Sequence, residues 1–281
     1  MMVELPEVET VVRQLDHALK NQVVSDIDFR MPNKQTHLNK MSAALKGKKL
    51  IQVRRKGTNV ILDFSENQSL LAHLDVDGQL QCVSHSANMN ADTSVIFKFK
   101  DSDKELRLGD VQRFSFLKLL ETKSIESAEP IKGMGKEPLQ ISVKDFRDTL
   151  NLNPNRNIRA LLMDQSLIVG IGNVYADEVL FRAKIHPSEK VKNIPFPRLD
   201  KLHHAIYHIL ELAILHGGTH VQDFVRTADQ PETDGFDKLL QVYQRDGQEC
   251  LRCKREKIQK VKVSSKVAYV CSYCQPLRYE S

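Results

Sequence analysis

Apolar and polar positions alternate at two different periods along this chain, and the change of period divides it. Near the start, Val8, Val11, Val12, Leu15 and Leu19 recur at helical spacing, which places them on one face of an amphipathic helix. Pro6 and Glu7 suit its first turn, where a missing N–H costs nothing and a negative charge meets the positive end of the dipole. From Val23 to about Leu120 the pattern shortens to apolar runs broken by polar turns: Leu50-Ile51-Gln52-Val53, Val60-Ile61-Leu62, Val95-Ile96-Phe97 and Phe114-Ser115-Phe116-Leu117. These predict strands in a mostly antiparallel sandwich or barrel. A linker follows, marked by Pro130, Gly133, Gly135 and Pro138, and from Ile141 the helical period returns, as in Leu199, Leu202, Ala205, Ile206, Ile209, Leu210 and Ala213. The expected organisation is therefore α+β: a β-rich segment 1–125, a linker 126–140, a helical segment 141–234 and a cysteine-bearing hairpin 235–281.

Length and composition fit this division. A chain of 281 residues suggests about two domains. Hydrophobic residues at 41% and charged residues at 27% are ordinary for a folded globular protein. Aromatic residues are only 6%, without Trp, which argues against a broad aromatic stacking platform. The net charge of +5 permits a polyanionic partner without demanding one. No apolar run approaches the roughly 20 residues of a membrane span, and MMVELPEVET lacks the basic start of a secretory signal. A cytoplasmic protein is expected.

The cysteines add chemistry. Cys250 and Cys253 form one C-x-x-C pair and Cys271 and Cys274 another, with seventeen residues between the pairs. In a reducing compartment this spacing favours zinc over disulfides, and four thiolates fill the tetrahedron, so one structural Zn²⁺ per chain is expected. Cys82 reads as a packing residue. Between Cys250 and Cys274 stand Arg252, Lys254, Arg255, Lys257, Lys260, Lys262 and Lys266 against a single acid, Glu256, a concentration that points to phosphate contact. Gly170-Ile171-Gly172-Asn173, ahead of a predicted helix, offers backbone N–H groups to an anion, although a plain turn between helices explains it equally well. His186 and the His203, His204, His208 and His216 set read as structural.

Several stretches in a fixed order carry a family resemblance: ELPEVET at 4–10, LLMDQSLIVGIGNVYADEVLF at 161–181, IHP at 185–187, Gly217-Gly218-Thr219 with Asp223-Phe224, Leu240-Gln241-Val242-Tyr243, and the four cysteines. Together they resemble formamidopyrimidine-DNA glycosylase and its endonuclease VIII relatives. The resemblance implies an N-terminal antiparallel β-sandwich with flanking helices, then a helix–two-turns–helix domain with a zinc-finger hairpin. It implies double-stranded DNA, kinked, with the damaged nucleotide flipped from the stack. It also implies attack by the N-terminal α-amine on C1′ of the lesion sugar, a Schiff base, and a nick by elimination. By position, Val3 would supply the amine, Glu4 would handle protons, and Glu7 would assist. Lys56, by a one-residue slip, would stand in as the catalytic β-hairpin lysine, and His73 would contact the DNA. Arg159 and Asn173 would hold phosphates from the helical module, Lys266 from the finger, and Arg113 with Phe114 would fill the gap in the duplex. A monomer bound to bacterial nucleoid DNA is the expected state.

The chain also departs from that family's pattern. Its catalytic proline is Val3 here, preceded by Met1 and Met2. The β-hairpin lysine falls on Gly57, with Lys56 one residue away; the gap-filling methionine falls on Val76, between Asp75 and Asp77; an arginine falls on Gln112; and the finger arginine is Lys266. These changes touch lesion chemistry and leave scaffold, cysteines and phosphate grips in place. The expected function is a base-excision DNA glycosylase of altered lesion choice with weak lyase activity. The alternative is a catalytically silent relative that binds damaged, abasic or branched DNA.

Overall fold

The computed structural model describes residues 3–30, 35–73, 79–109, 117–219 and 235–278. The chain groups into two compact units, one of Met1–Lys132 with Gly217–Gly235, the other of Gly133–His216 with Phe236–Ser281.

In the first unit, helix α1 (Leu5–Leu19) turns Val8, Val11, Val12, Leu15 and Leu19 inward, as their spacing predicts. Two four-stranded antiparallel sheets take up this apolar face. One has the order β1 (Val24–Phe29), β6 (Thr93–Phe99), β7 (Lys104–Gly109), β5 (Gln79–Ser84); the other runs β2 (Leu50–Lys56), β3 (Asn59–Phe64), β4 (Gln68–His73), β8 (Leu117–Glu121). Helix α2 (Gln35–Leu45) packs beside β1. Alternate residues from both sheets, among them Val53, Val60, Leu62, Leu70, Leu80, Phe97, Leu106 and Leu108, fill the core between them. Each large apolar side chain so buried contributes about 1.5–3 kcal/mol. Cys82 lies in this core. Every residue of β3 is buried, because the outer face of its sheet is covered too: Ile61 and Leu71 pack with Ile125 and Ile131 from the linker region. That region begins with a short 3₁₀ helix, Thr122–Ser127, which runs across the expected boundary into the linker.

The second unit is helical, then ends in a cysteine-bearing hairpin. Helices α3 (Val143–Asn151), α4 (Ile158–Leu162), α5 (Asn173–Ala183) and α6 (Phe196–Leu215) share a core of Phe146, Leu161, Tyr175, Leu180, Leu202, Ile206 and Leu210. Ser142 caps α3, its Oγ accepting the Asp145 N–H at 3.0 Å. The hairpin of β9 (Gln259–Val263) and β10 (Lys266–Val270) follows, paired antiparallel. The connector is stitched to this unit at Gly135: its N–H donates to the Gln165 carbonyl at 2.8 Å, and Lys136 N donates to Leu167 O at 3.0 Å. A Cβ on Gly135 would fall 2.3 Å from the Leu167 carbonyl carbon, so the approach of the two backbones requires glycine there.

Candidate functional site

The N-terminus of α1 holds two buried carboxylates, Glu4 and Glu7. Glu4 is the N-cap and Glu7 stands three positions on, so a Glu7 oxygen can reach back to the N-cap N–H. Glu4 N donates to Glu7 Oε2 at 3.2 Å. The other oxygen of Glu7 accepts twice from Thr219, from its N–H at 2.8 Å and its hydroxyl at 3.0 Å. The first turn of the chain is thereby fixed against a residue more than two hundred positions away. Val3, immediately before the cap, is buried against the sandwich core. Arg55 reaches α1 from the sheet, its Nε 2.6 Å from Glu9 Oε2.

The β2–β3 turn explains one departure from the family pattern. Strand pairing sets Lys56 opposite Asn59, leaving Gly57 and Thr58 as a two-residue turn, and Gly57 has φ of +57°. A turn with positive φ at its first central position is built for glycine, and lysine there would be strained. Lys56 is instead the last residue of β2. Register carries on from Asn59 to His73 on β4, and directly paired residues share a face. Lys56, Asn59 and His73 therefore form a row across three strands, with His73 Nδ1 2.8 Å from Asn59 Oδ1 and Asn59 Nδ2 donating to Lys56 O at 3.2 Å.

In the second unit, Gln165 shapes the glycine turn, donating to the Ile171 carbonyl at 2.9 Å and accepting from Gly170 N at 2.7 Å. That turn delivers Asn173, half-buried, to the first position of α5. Arg159, expected to reach a phosphate, is 1% exposed. Its Nε donates to Asp177 Oδ1 at 2.6 Å and its Nη2 to Asn173 Oδ1 at 3.2 Å. Asp177 Oδ2 accepts from Tyr269 N on β10 at 2.9 Å. Burial pushes the Asp177 carboxyl up to about 6, against the pull of Arg159 and of the Tyr269 N–H. Its neighbour Glu178, equally buried, accepts the backbone N–H groups of Gln241, Val242 and Tyr243 at 2.8–3.0 Å. Burial raises that carboxyl also, opposed by those three bonds.

The four cysteines converge. Their sulfurs lie within 4.8 Å of one another, with Cys250–Cys274 at 3.9 Å and Cys253–Cys271 at 3.7 Å. Zn–S bonds of about 2.3 Å in a tetrahedron give sulfur–sulfur edges of about 3.8 Å, so the cluster has the size to hold such an ion. Backbone N–H groups of Arg255 and Glu256 hold the Cys253 thiol down at about 7, toward the thiolate a metal needs, while burial pushes Cys271 and Cys274 up. Phe181, Val242 and Ile258 pack around the sulfurs.

The basic run around the cysteines divides by partner. Arg252 lies 3.7 Å over the Phe181 ring and donates to the Phe181 carbonyl, Arg255 bonds and stacks on Tyr273, and Lys260 pairs with Asp246. Lys254, Lys257, Lys262 and Lys266 are exposed, Lys266 at the start of β10. Arg113, Phe114, Gln112 and Val76 lie outside the described residues. Among the histidines, His203 Nε2 lies 2.8 Å from the Ile141 carbonyl and its ring packs on Phe146, and His186 Nδ1 accepts the Ser188 N–H, as structural roles require. The residues that pattern-reading missed are Asn59, Asp177, Glu178 and Thr219. Asp177 and Glu178 sit in an otherwise apolar helical stretch, and two adjacent carboxylates there were the available signal.

Comparison with known proteins agrees along the whole chain. Residues 2–117 match the formamidopyrimidine-DNA glycosylase N-terminal domain and residues 134–225 the formamidopyrimidine-DNA glycosylase H2TH domain. The formamidopyrimidine-DNA glycosylase of Latilactobacillus sakei is 33% identical over 98% of this chain and 98% of its own. That of Desulforamulus reducens is 33% identical over 98% and 99%. Among solved structures, the Lactococcus lactis enzyme in complex with DNA containing an abasic site is 31% identical, covers 97% of this chain and 99% of its own, and superposes with a TM-score of 0.83. With both domain models matched in order and relatives aligned from end to end, this chain belongs to the formamidopyrimidine-DNA glycosylase family.

Proposed function

We propose that this protein is a base-excision DNA glycosylase of damaged duplex DNA whose nucleophile is the α-amine of Val3, in a chain that starts at that residue. The observation that carries the reading is the N-cap of α1: Glu7, held by Thr219, fixes the Glu4 backbone and so the place of the residue before it. An unperturbed α-amine near 7.7–8.0 is neutral in roughly 10–20% of molecules at pH 7. That neutral amine attacks C1′ of the lesion sugar; a C–N bond forms and the bond to the base breaks, its electron pair leaving with the base. Glu4, buried beside the amine, transfers the protons of these steps. Asn173 and Lys266 hold phosphates from the second unit, and the Lys56–His73 row does so from the first. Arg113 and Phe114 fill the space of the flipped nucleotide. A structural Zn²⁺ on Cys250, Cys253, Cys271 and Cys274 fixes the hairpin that carries Lys266, and it takes no part in the chemistry because four thiolates leave no open position.

The test is base release from duplexes that each carry one oxidised purine, oxidised pyrimidine or abasic site, with protein whose first residue is verified by mass spectrometry to be Val3. Release from at least one lesion, lost in a Glu4→Gln variant, is expected. Tight binding with no release from any lesion would replace the proposal with the silent-binder reading, toward which retained Met1 and Met2 and the glycine at position 57 point. Among the described residues no helix is long and apolar enough to cross a membrane.

A further inference from the structure

We propose that Arg159 is a positioning residue that sets the amide of Asn173 with its donor edge outward, and that it does not itself touch a phosphate. The inference rests on the reading of Asn173 as a phosphate grip. A guanidinium carries five N–H donors and no acceptor. With Arg159 Nη2 3.2 Å from the Asn173 amide, the atom facing it must be the carbonyl oxygen. The Nδ2 group, with two donors, is thereby turned to the other side, where an anionic oxygen is the matching partner. Were Arg159 replaced by an apolar group, nothing on this side would select between the two orientations of the amide. Half of them would turn a carbonyl oxygen toward the phosphate.

Arg159 is itself held. It is 1% exposed, and Asp177, also 1% exposed, takes its Nε at 2.6 Å. Asp177 uses its second oxygen on Tyr269 N, three residues past Lys266 on the same strand. One buried ion pair therefore joins α4, the first turn of α5 and the strand that carries Lys266. A charge buried this deeply cannot swing out to a phosphate without leaving Asp177 unpaired, which is strongly destabilising.

Neutral Asn173 and cationic Arg159 differ in what they do to salt dependence. A cation on a phosphate releases counterions and adds about 0.9 to the slope of log K against log salt, and a neutral amide adds none. The experiment measures dissociation constants for a duplex with one tetrahydrofuran abasic-site analogue over a salt series, using full-length, zinc-loaded protein. Asn173→Ala is expected to weaken binding about tenfold, the lower end for a hydrogen bond to a charged group. The pair Arg159→Met with Asp177→Asn removes both charges together and leaves about half of the amides correctly turned, so it is expected to weaken binding about twofold with an unchanged slope. Combining all three should lose no more than Asn173→Ala alone, about tenfold. A slope lower by about one in the charge-pair variant would show direct phosphate contact, and a multiplied, roughly twentyfold loss in the triple variant would show independent action; either overturns the proposal. If Asn173→Ala leaves the affinity unchanged, the reading of Asn173 fails and the proposal falls with it. Should the charge-pair variant not fold, nitrogen-15 spectra of the wild-type protein decide. The Asn173 side-chain amide should shift on adding the duplex while the Arg159 Nε–H stays put, and the reverse pattern overturns the proposal.

Discussion

Replacing Thr219 by valine removes one hydroxyl and keeps the branched shape, so no cavity opens at a residue that is 7% exposed. What is lost is the 3.0 Å bond from the hydroxyl to Glu7 Oε1. A hydrogen bond to a charged group is worth about 1.5–3 kcal/mol. Glu7 Oε1 keeps the Thr219 N–H at 2.8 Å and Oε2 keeps Glu4 N at 3.2 Å, so the carboxylate is not orphaned and the lower figure applies. At about 2–4 °C per kcal/mol for a unit of this size, the melting transition should fall by roughly 3–6 °C. Scanning calorimetry measures it. Glu7→Gln, which cannot accept at both ends, should cost more, and Thr219→Val in that background should cost clearly less than it does alone. Base release should fall with Thr219→Val only as far as Glu4 is loosened. A transition that does not move in Thr219→Val, or costs that simply add, would refute the claim that Glu7 anchors the N-terminus through Thr219.

Other outcomes follow from the same geometry. Gly135→Ala pushes a methyl into the Leu167 backbone, at a cost of about 1–3 kcal/mol, read by urea denaturation; a stability within about 0.5 kcal/mol of wild type would contradict the close approach. Stripping the metal with a chelator, or Cys253→Ser, should abolish duplex binding along with one zinc per chain measured by atomic emission, because the sulfurs share their core with Phe181 and Val242. Asp177 should titrate near 6 by carbon-13 NMR of its carboxyl. Since its folded value is raised from 3.8, its contribution to stability is full below that pH and declines as pH rises toward 6, so the stability of wild type relative to Asp177→Asn should fall across that window.

The helices and strands were legible wherever a single period ran uninterrupted: α1 and α6 bury the residues that their spacing predicts. The four-cysteine cluster was equally legible, because two C-x-x-C pairs state the donor set in the sequence itself. Less legible was β3, whose two faces are both covered, so that Val60-Ile61-Leu62 shows an apolar run with no alternation to say which face meets which layer. The role of Arg159 was not readable at all. The family resemblance assigns Arg159 to a phosphate, and only the fold shows its ion pair with Asp177, eighteen residues on. That Gly57, where the resemblance places a lysine, sits in a turn with positive φ was not readable from the sequence either, because the conformation of a two-residue turn follows from the pairing of its flanking strands. Thr219 pairs with Glu7 across 212 positions, a separation at which no local pattern carries information.

The central claim is that the Val3 amine is the nucleophile, and borohydride trapping tests it most directly. Protein beginning at Val3 is incubated with a duplex carrying one abasic site, reduced, digested, and mapped by mass spectrometry. The account predicts a covalent adduct on the Val3 nitrogen, absent when Met2 is retained. An adduct on Lys56 instead, or none despite tight binding to the same duplex, would contradict it.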